Sequence, residues 1–110
     1  MQILHSKIYR QEKNETPLLV FHGLFGMLDN WGSFGKEFGE LFPTHLIDLR
    51  NHGKSFHSDE MNHQVLAEDI LHYMNFHGFE KANLLGHSLG GKAVMTFAIS
   101  YPEKVEKLIV

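Results

Sequence analysis

The chain contains no cysteine. Disulfides and thiolate metal sites are therefore excluded, and a reducing compartment fits. Long apolar runs are also missing. The longest are four residues, such as Leu18-Leu19-Val20-Phe21, where a membrane-spanning helix needs roughly 20. The first eleven residues lack the apolar stretch of a secretory signal. No basic block occurs: 10 Lys and Arg against 13 Asp and Glu leave a formal charge of −3, which gives a nucleic-acid surface no support. The expectation is a cytoplasmic protein with neither a membrane nor a nucleic-acid partner. Histidine, although it occurs nine times, is absent after His87.

What is present is one domain's worth of residues, 110 in all, with 43% hydrophobic and 21% charged, an ordinary globular balance. Residues 2–10 alternate loosely around Ile3, Ile8 and Tyr9 and read as a strand; 11–16 read as a polar turn. Leu18 to Phe21, between Pro17 and His22-Gly23, suits a strand buried on both faces. Residues 23–30 form a loop. Trp31, Phe34, Phe38, Leu41 and Phe42 then recur at helical spacing, with Asp29 or Asn30 as N-cap, although Gly32, Gly35 and Gly39 weaken that helix. Residues 44–49 read as a strand and 50–62 as a long loop. Val65, Leu66, Ile70, Tyr73 and Met74 mark a second helix, stopped at Gly78.

Residues 82–85 read as a strand, 86–91 as a sharp turn, and 92–101 as a helix with Ala93, Val94, Phe97 and Ala98 inward, ended by Pro102. Residues 105–110 begin a further strand. Strands and helices in this order imply an α/β fold, a mostly parallel sheet with flanking helices. A sheet cut at Val110 leaves apolar surface and an open edge through which the chain could pair with itself. The expectation is that 1–110 is part of a larger domain.

Gly86-His87-Ser88-Leu89-Gly90 matches G-x-S-x-G. The bare match is short, but an apolar strand before it and an amphipathic helix after it supply the setting the motif requires. A turn this tight strains its central residue and holds the Ser88 hydroxyl clear of the sheet, at a helix N-terminus that can stabilise negative charge. His22-Gly23-Leu24-Phe25-Gly26 follows the first apolar strand. A glycine-rich loop there can aim a backbone N–H into the crevice at the strand ends. Acyl transfer needs two such donors for an oxyanion: one from Leu89, the other from Leu24 or Phe25. His22 reads as a brace for its loop rather than as a general base. Asp48 and Arg50, flanking Gly53, could be a carboxylate orienter and an anion clamp, or a loop stitched by its own side chains; the second reading is favoured.

Other chemistries fit less well. His72 and His77 do not share a helix face, His52 and His57 lack a third ligand, and H-E-x-x-H is absent. Gly86, Gly91 and Lys92 follow a phosphate-loop register, but Ala93 stands where that motif needs a hydroxyl. No cofactor and no metal are implied.

The segments HGLFG, DLRNHGKS, GHSLGG and YPEKVEKLIV, in this order, resemble the α/β-hydrolase fold across essentially the whole chain. Leu28-Asp29-Asn30-Trp31 and the run from Gly86 to Met95 are more specifically similar to small esterases of the YbfF/ABHD11 type. The resemblance implies that 1–110 is the N-terminal half of an α/β-hydrolase domain. It implies Ser88 as nucleophile and the Leu24 and Leu89 amides as oxyanion hole. Phe25 and His87 are candidates for the substrate pocket, and the substrate is a small-molecule ester. In that family the acid and the His follow the nucleophile. After Ser88 this chain has only Glu103 and Glu106 as acids and no His, so both partners and the helical cap are expected beyond Val110. A non-catalytic binding or assembly module is the alternative, as is another chemistry on the same fold, such as a thioesterase, lyase or C–C hydrolase.

Overall fold

The computed structural model describes residues 2–10 and 15–110. Its strands are β1 (Ser6–Tyr9), β2 (Leu18–Phe21), β3 (Thr44–Ile47), β4 (Ala82–Gly86) and β5 (Val105–Ile109), and its helices are α1 (Gly32–Phe38), α2 (His63–His77) and α3 (Leu89–Ser100). Among the described residues they form one sheet of order β1-β3-β2-β4-β5. β1 runs antiparallel to β3, and the remaining pairs are parallel. The mostly parallel α/β sheet read from the sequence is thus present. Register places Phe21 opposite both Ile47 and Gly86. The loops that begin at His22, Asp48 and His87 therefore leave the sheet side by side.

All four residues of β2 are buried because both sheet faces are covered there. Leu19 and Phe21 join Ile47, Leu84 and the apolar stripes of α2 and α3 in the larger core. Leu18 and Val20 point the other way, with Leu46 and the aromatic residues Trp31, Phe34, Phe38 and Phe42. α2 begins where the Asn62 side chain accepts the Val65 N–H (2.9 Å) and ends at Gly78 with φ 75, which caps its C-terminus in the left-handed form.

Several boundaries differ from expectation. Strand β1 covers only Ser6–Tyr9 of the span 2–10, and the polar turn expected at 11–16 lies, for 11–14, outside the described residues. Neither Asp29 nor Asn30 caps α1. Both lie inside a 3-10 turn (Leu28–Trp31), where the Asn30 side chain reaches back to the Met27 N–H at 2.8 Å. α1 ends at Phe38, so Leu41 leaves the apolar face and is 62% exposed. The glycines that weaken this helix let it approach the sheet. A Cβ on Gly35 would stand 2.8 Å from both Leu46 and Tyr9, and one on Gly39 would overlap Tyr9. α3 begins at Leu89, three residues before the expected Lys92, because the turn at 86–88 is tighter than its glycines suggest. Among the described residues no helix is long and apolar enough to cross a membrane.

His45 of β3 is buried under α2, its Nδ1 2.6 Å from the Tyr73 hydroxyl and its ring edge-on to those of His77 and Phe79. Burial, reinforced by His77, pushes His45 down to about 4. A group whose folded-state value is depressed below its ordinary 6.5 in this way is neutral when folded and takes up a proton on unfolding. Its contribution to stability is full above pH 6.5 and is lost as pH falls towards 4. The unfolding free energy should drop by roughly 1 kcal/mol per pH unit across that window, about 3 kcal/mol in all from this residue. Urea melts at pH 7 and 4.5, with the His45 ring followed by NMR, test this; a ring titrating near 6.5 would contradict it.

Candidate active site

The turn between β4 and α3 holds Ser88 at φ 54, ψ −111, a conformation that costs an L-residue about 1–3 kcal/mol. Backbone contacts enforce it. The His87 N–H donates to the Phe21 carbonyl (3.1 Å), and the Gly90 N–H is shared between the carbonyls of His22 (3.1 Å) and His87 (3.0 Å). These bonds draw the first turn of α3 onto the end of β2. A Cβ on Gly90 would overlap the Phe21 carbonyl oxygen and stand 2.6 Å from that of His22, while one on Gly86 would overlap the Gly90 carbonyl. Ser88 itself is exposed. Among the described residues its hydroxyl has no hydrogen-bond partner.

The loop after β2 folds over this turn. Gly26 N–H to Gly23 carbonyl (2.9 Å) closes a tight turn, with Phe25 at φ 61. Gly23 abuts the elbow: a Cβ there would stand 2.9 Å from His87 Nδ1 and 3.4 Å from Ser88 Cβ. The two amides that the sequence left open differ in what they meet. The Phe25 N–H donates to His52 Nε2 at 3.1 Å, whereas among the described residues the N–H groups of Leu24 and Leu89 meet no acceptor. Phe25 is 91% and Leu24 57% exposed. His87 is also exposed, its ring 6.3 Å from that of Trp31. Phe25 and His87 thus stand on the open surface around Ser88. A large apolar groove, about 640 Å³ and bordered by Leu18, Phe34, Phe38, Phe42, Leu85 and Ile109, lies elsewhere, on the α1 face of the sheet.

The loop after β3 is stitched by its own side chains, as the sequence favoured. The Asp48 carboxylate accepts the Leu28 N–H (2.7 Å) and the Lys54 N–H (2.9 Å), and the Ser55 hydroxyl donates to the Asp48 carbonyl (2.6 Å). Arg50 makes a two-pronged pair with Asp69 of α2 (2.6 and 2.9 Å) and a third bond to the Glu60 carbonyl. The carboxylate beside it raises the guanidinium further. Neither Asp48 nor Arg50 is left free to orient a base or clamp an anion.

Two buried histidines link the loops. His22 Nδ1 lies 2.7 Å from the Gly23 carbonyl, and its Nε2 accepts the Leu49 N–H at 3.0 Å. Because a carbonyl only accepts and an amide only donates, the proton sits on Nδ1 and the ring is neutral. Burial lowers its basicity, opposed by the Gly23 bond. His52 repeats the pattern, with Nδ1 2.9 Å from the Arg50 carbonyl and Nε2 facing Phe25 N–H. Both lone pairs are occupied, so neither ring can accept the Ser88 proton without surrendering a backbone bond. Three links escaped the sequence reading: His52 to Phe25, Asp48 to Leu28, and Arg50 to Asp69. Only the last left a signal, an acid at position 69 within the apolar stripe of α2. Among the described residues no group of three or more His, Asp or Glu is arranged to hold a metal ion.

Comparison with known proteins bears on the fold that carries these residues. Residues 16–110 match the family described as the alpha/beta hydrolase fold. A Haemophilus influenzae relative bearing a provisional esterase/lipase name is 50% identical over 96 residues, covering 86% of this chain and 33% of that protein. Esterase YbfF of Escherichia coli is 32% identical over 106 residues, covering 96% and 42%. The solved structure of a marine microorganism esterase superposes with a TM-score of 0.92 at 39% identity, covering 98% of this chain and 41% of that one. The chain therefore spans between a third and about two fifths of the length of these relatives.

The glycine contact at the elbow gives a direct test. Gly90→Ala forces a methyl group against the carbonyl oxygens of Phe21, at the end of β2, and of His22 just after it, which cannot retreat without disturbing the sheet end. The expected loss is about 2–3 kcal/mol, at the upper end of ordinary overpacking. Chemical denaturation measures it, and a loss below about 0.5 kcal/mol would show that the contact is not tight.

Proposed function

The chain belongs to the α/β-hydrolase fold family, and from that premise we propose that the intact protein is a serine hydrolase acting on small or medium carboxylic esters. Residues 1–110 would be the N-terminal part of its catalytic domain. The observation that carries the reading is the Ser88 hydroxyl, exposed at the head of α3 and, among the described residues, without a hydrogen-bond partner, as are the amides of Leu89 next to it and of Leu24 in the adjoining loop. In this reading Ser88 Oγ attacks the ester carbonyl carbon while its proton passes to a histidine outside this chain, held by a carboxylate also outside it. The Leu24 and Leu89 N–H groups receive the oxyanion. Collapse expels the alcohol, which takes that proton, and water then releases the acid and regenerates Ser88.

The names of the relatives support ester substrates, and the occupied lone pairs of His22 and His52 support a base supplied from elsewhere. Phe25 and His87 would line the substrate approach once further residues close over them. A cytoplasmic setting fits a chain without cysteine. β5 leaves Leu108, Ile109 and Val110 exposed at 40, 53 and 66%, an edge that could pair with a second copy where nothing else covers it.

In the intact protein Ser88→Ala should lower kcat by several orders of magnitude, because nucleophile and base act as one unit. A fluorophosphonate should label the wild type and not the variant; equal labelling would place the nucleophile elsewhere. The 110-residue chain alone should turn over an activated ester such as p-nitrophenyl acetate far more slowly than the intact protein. Full turnover by the chain alone would mean that His22, His52 or His87 serves as base and would overturn the placing of the base outside it.

A further inference from the structure

Phe25 holds φ 61, a left-handed value that a bulky L-residue ordinarily avoids. Its side chain is 91% exposed, so packing does not hold it there. Leu24 has no positive φ, and the Gly26 N–H closes the turn on the Gly23 carbonyl at 2.9 Å. A turn positive only at its third residue is type II. Rotating one peptide, Leu24–Phe25, converts it to the commoner type I, keeps the closing bond and returns Phe25 to a negative φ. In the observed form the Phe25 N–H donates to His52 Nε2 at 3.1 Å. That nitrogen accepts because the ring proton lies on Nδ1, aimed at the Arg50 carbonyl 2.9 Å away. The rotation exchanges N–H and C=O, so it brings the Leu24 carbonyl to the side of the peptide that faces the ring. Against a neutral ring, two lone pairs would then oppose each other. A second ring proton, on Nε2, inverts the preference: the Phe25 N–H would meet another donor, whereas the Leu24 carbonyl would accept it. Nδ1 keeps the Arg50 carbonyl in both forms, so each form satisfies both ring nitrogens.

We propose that His52 and the Leu24–Phe25 peptide form a proton-operated switch, a type II turn when the ring is neutral and a type I turn when it is cationic. His22 does not share this behaviour. Its Nε2 receives the N–H of Leu49, a residue with no exposed surface, so that amide has no water to turn to. Burial above all, with the His52 ring 5.0 Å away, lowers His22, against the Gly23 bond and Asp48; it stays neutral while His52 carries charge. The other ionisable groups of these loops are held or turned outward. The Asp48 carboxylate, which abuts Gly53, takes the Leu28 and Lys54 amides, and Arg50 is paired with Asp69. The Lys54 side chain and His87, across Gly23 on the elbow, are exposed. The rotation leaves the Gly23–Leu24 peptide in place, and with it the direction of the Leu24 N–H. What changes is the Leu24 carbonyl and the set of the Phe25 side chain. The switch goes beyond the hydrolase reading and does not depend on the chemistry of Ser88. Whatever meets this surface finds Phe25 differently placed on the two sides of the transition.

The test follows Phe25 by NMR in the isotope-labelled intact protein from about pH 8 to about pH 5, the interval in which histidines ordinarily change charge. At the upper end two signals are expected. One is a scalar coupling across the hydrogen bond between the Phe25 amide nitrogen and His52 Nε2. The other is a strong NOE between the amide and α protons of Phe25 itself, the mark of a positive φ. As the ring nitrogen shifts report the second proton on His52, both signals should be lost together, while the coupling between the Leu49 amide and His22 Nε2 persists. His52→Gln cannot titrate, and its side-chain oxygen can take the Phe25 N–H. In that variant the Phe25 NOE should survive unchanged across the whole range. A wild-type NOE that outlasts protonation of His52, a His52 ring still neutral at the lower end, or equal loss of the NOE in the Gln variant would each overturn the switch. Should the Gln variant fail to fold, the wild type decides alone: ring protonation and NOE loss must share one midpoint, and two separate midpoints overturn the proposal. Ser88→Ala should leave this titration intact. Activity surviving in Ser88→Ala would sink the hydrolase reading and leave the switch standing.

Discussion

The upper end of this sheet depends on one steric allowance, the missing side chain at Gly90. Because no Cβ stands there, the first turn of α3 lies directly against the carbonyls of Phe21, the last residue of β2, and of His22 just after it, and the Gly90 N–H bonds to the second. That contact leaves only two residues, His87 and Ser88, for the chain to turn from β4 into the helix. Gly86 yields space at the near side, and Ser88, next to the helix, takes the positive φ at which it is found. The strain at Ser88 is thus supplied by the packing of two larger elements and persists because the core behind it, Phe21 against Val94 and Phe97 among others, holds them together.

A second consequence follows for the polar groups. Three loops leave the sheet at the same level because β2, β3 and β4 are in register. They are then tied to one another through backbone amides: Leu28 to Asp48, Leu49 to His22, Phe25 to His52. Each bond removes a donor and an acceptor from availability. Among the described residues the Ser88 hydroxyl and the amides of Leu24 and Leu89 meet no protein partner, while the two buried histidines serve as connectors whose tautomers are set by the partners they hold.

Much of this was legible in the residues. The run Leu18 to Phe21, the stripe from Val65 to Met74 and the strand–turn–helix around Ser88 announce themselves through periodicity and flanking glycines, which are local signals. The bracing role of His22 was legible too, because it follows a buried strand directly. The N-terminus of α1 was not: Asn30 has the right side chain for a cap, but the chain tightens into a 3-10 turn and Asn30 bonds backwards to Met27. Nor was Leu41 placed correctly, since helical spacing continues past the point where contact between Gly39 and Tyr9 leads the chain away. The links from Asp48, Arg50 and His52 span 19 to 27 positions. No spacing rule encodes such partners; only the tertiary fold brings them together.

The strand order has a bearing on where the molecule breathes. Among the described residues β2, β3 and β4 have hydrogen-bonded neighbours on both sides, whereas β1 and β5 have one each. In native-state hydrogen exchange, border strands open through small local fluctuations, while inner strands exchange only when larger units come apart. The loop at His22 and the turn at Ser88 are mounted on two of those inner strands, so their roots share the slowest-opening part of the sheet. The exposed tip at Leu24 and Phe25 projects from that anchored base. Its tether is the Phe25 N–H bond to the buried ring of His52 in the loop after β3.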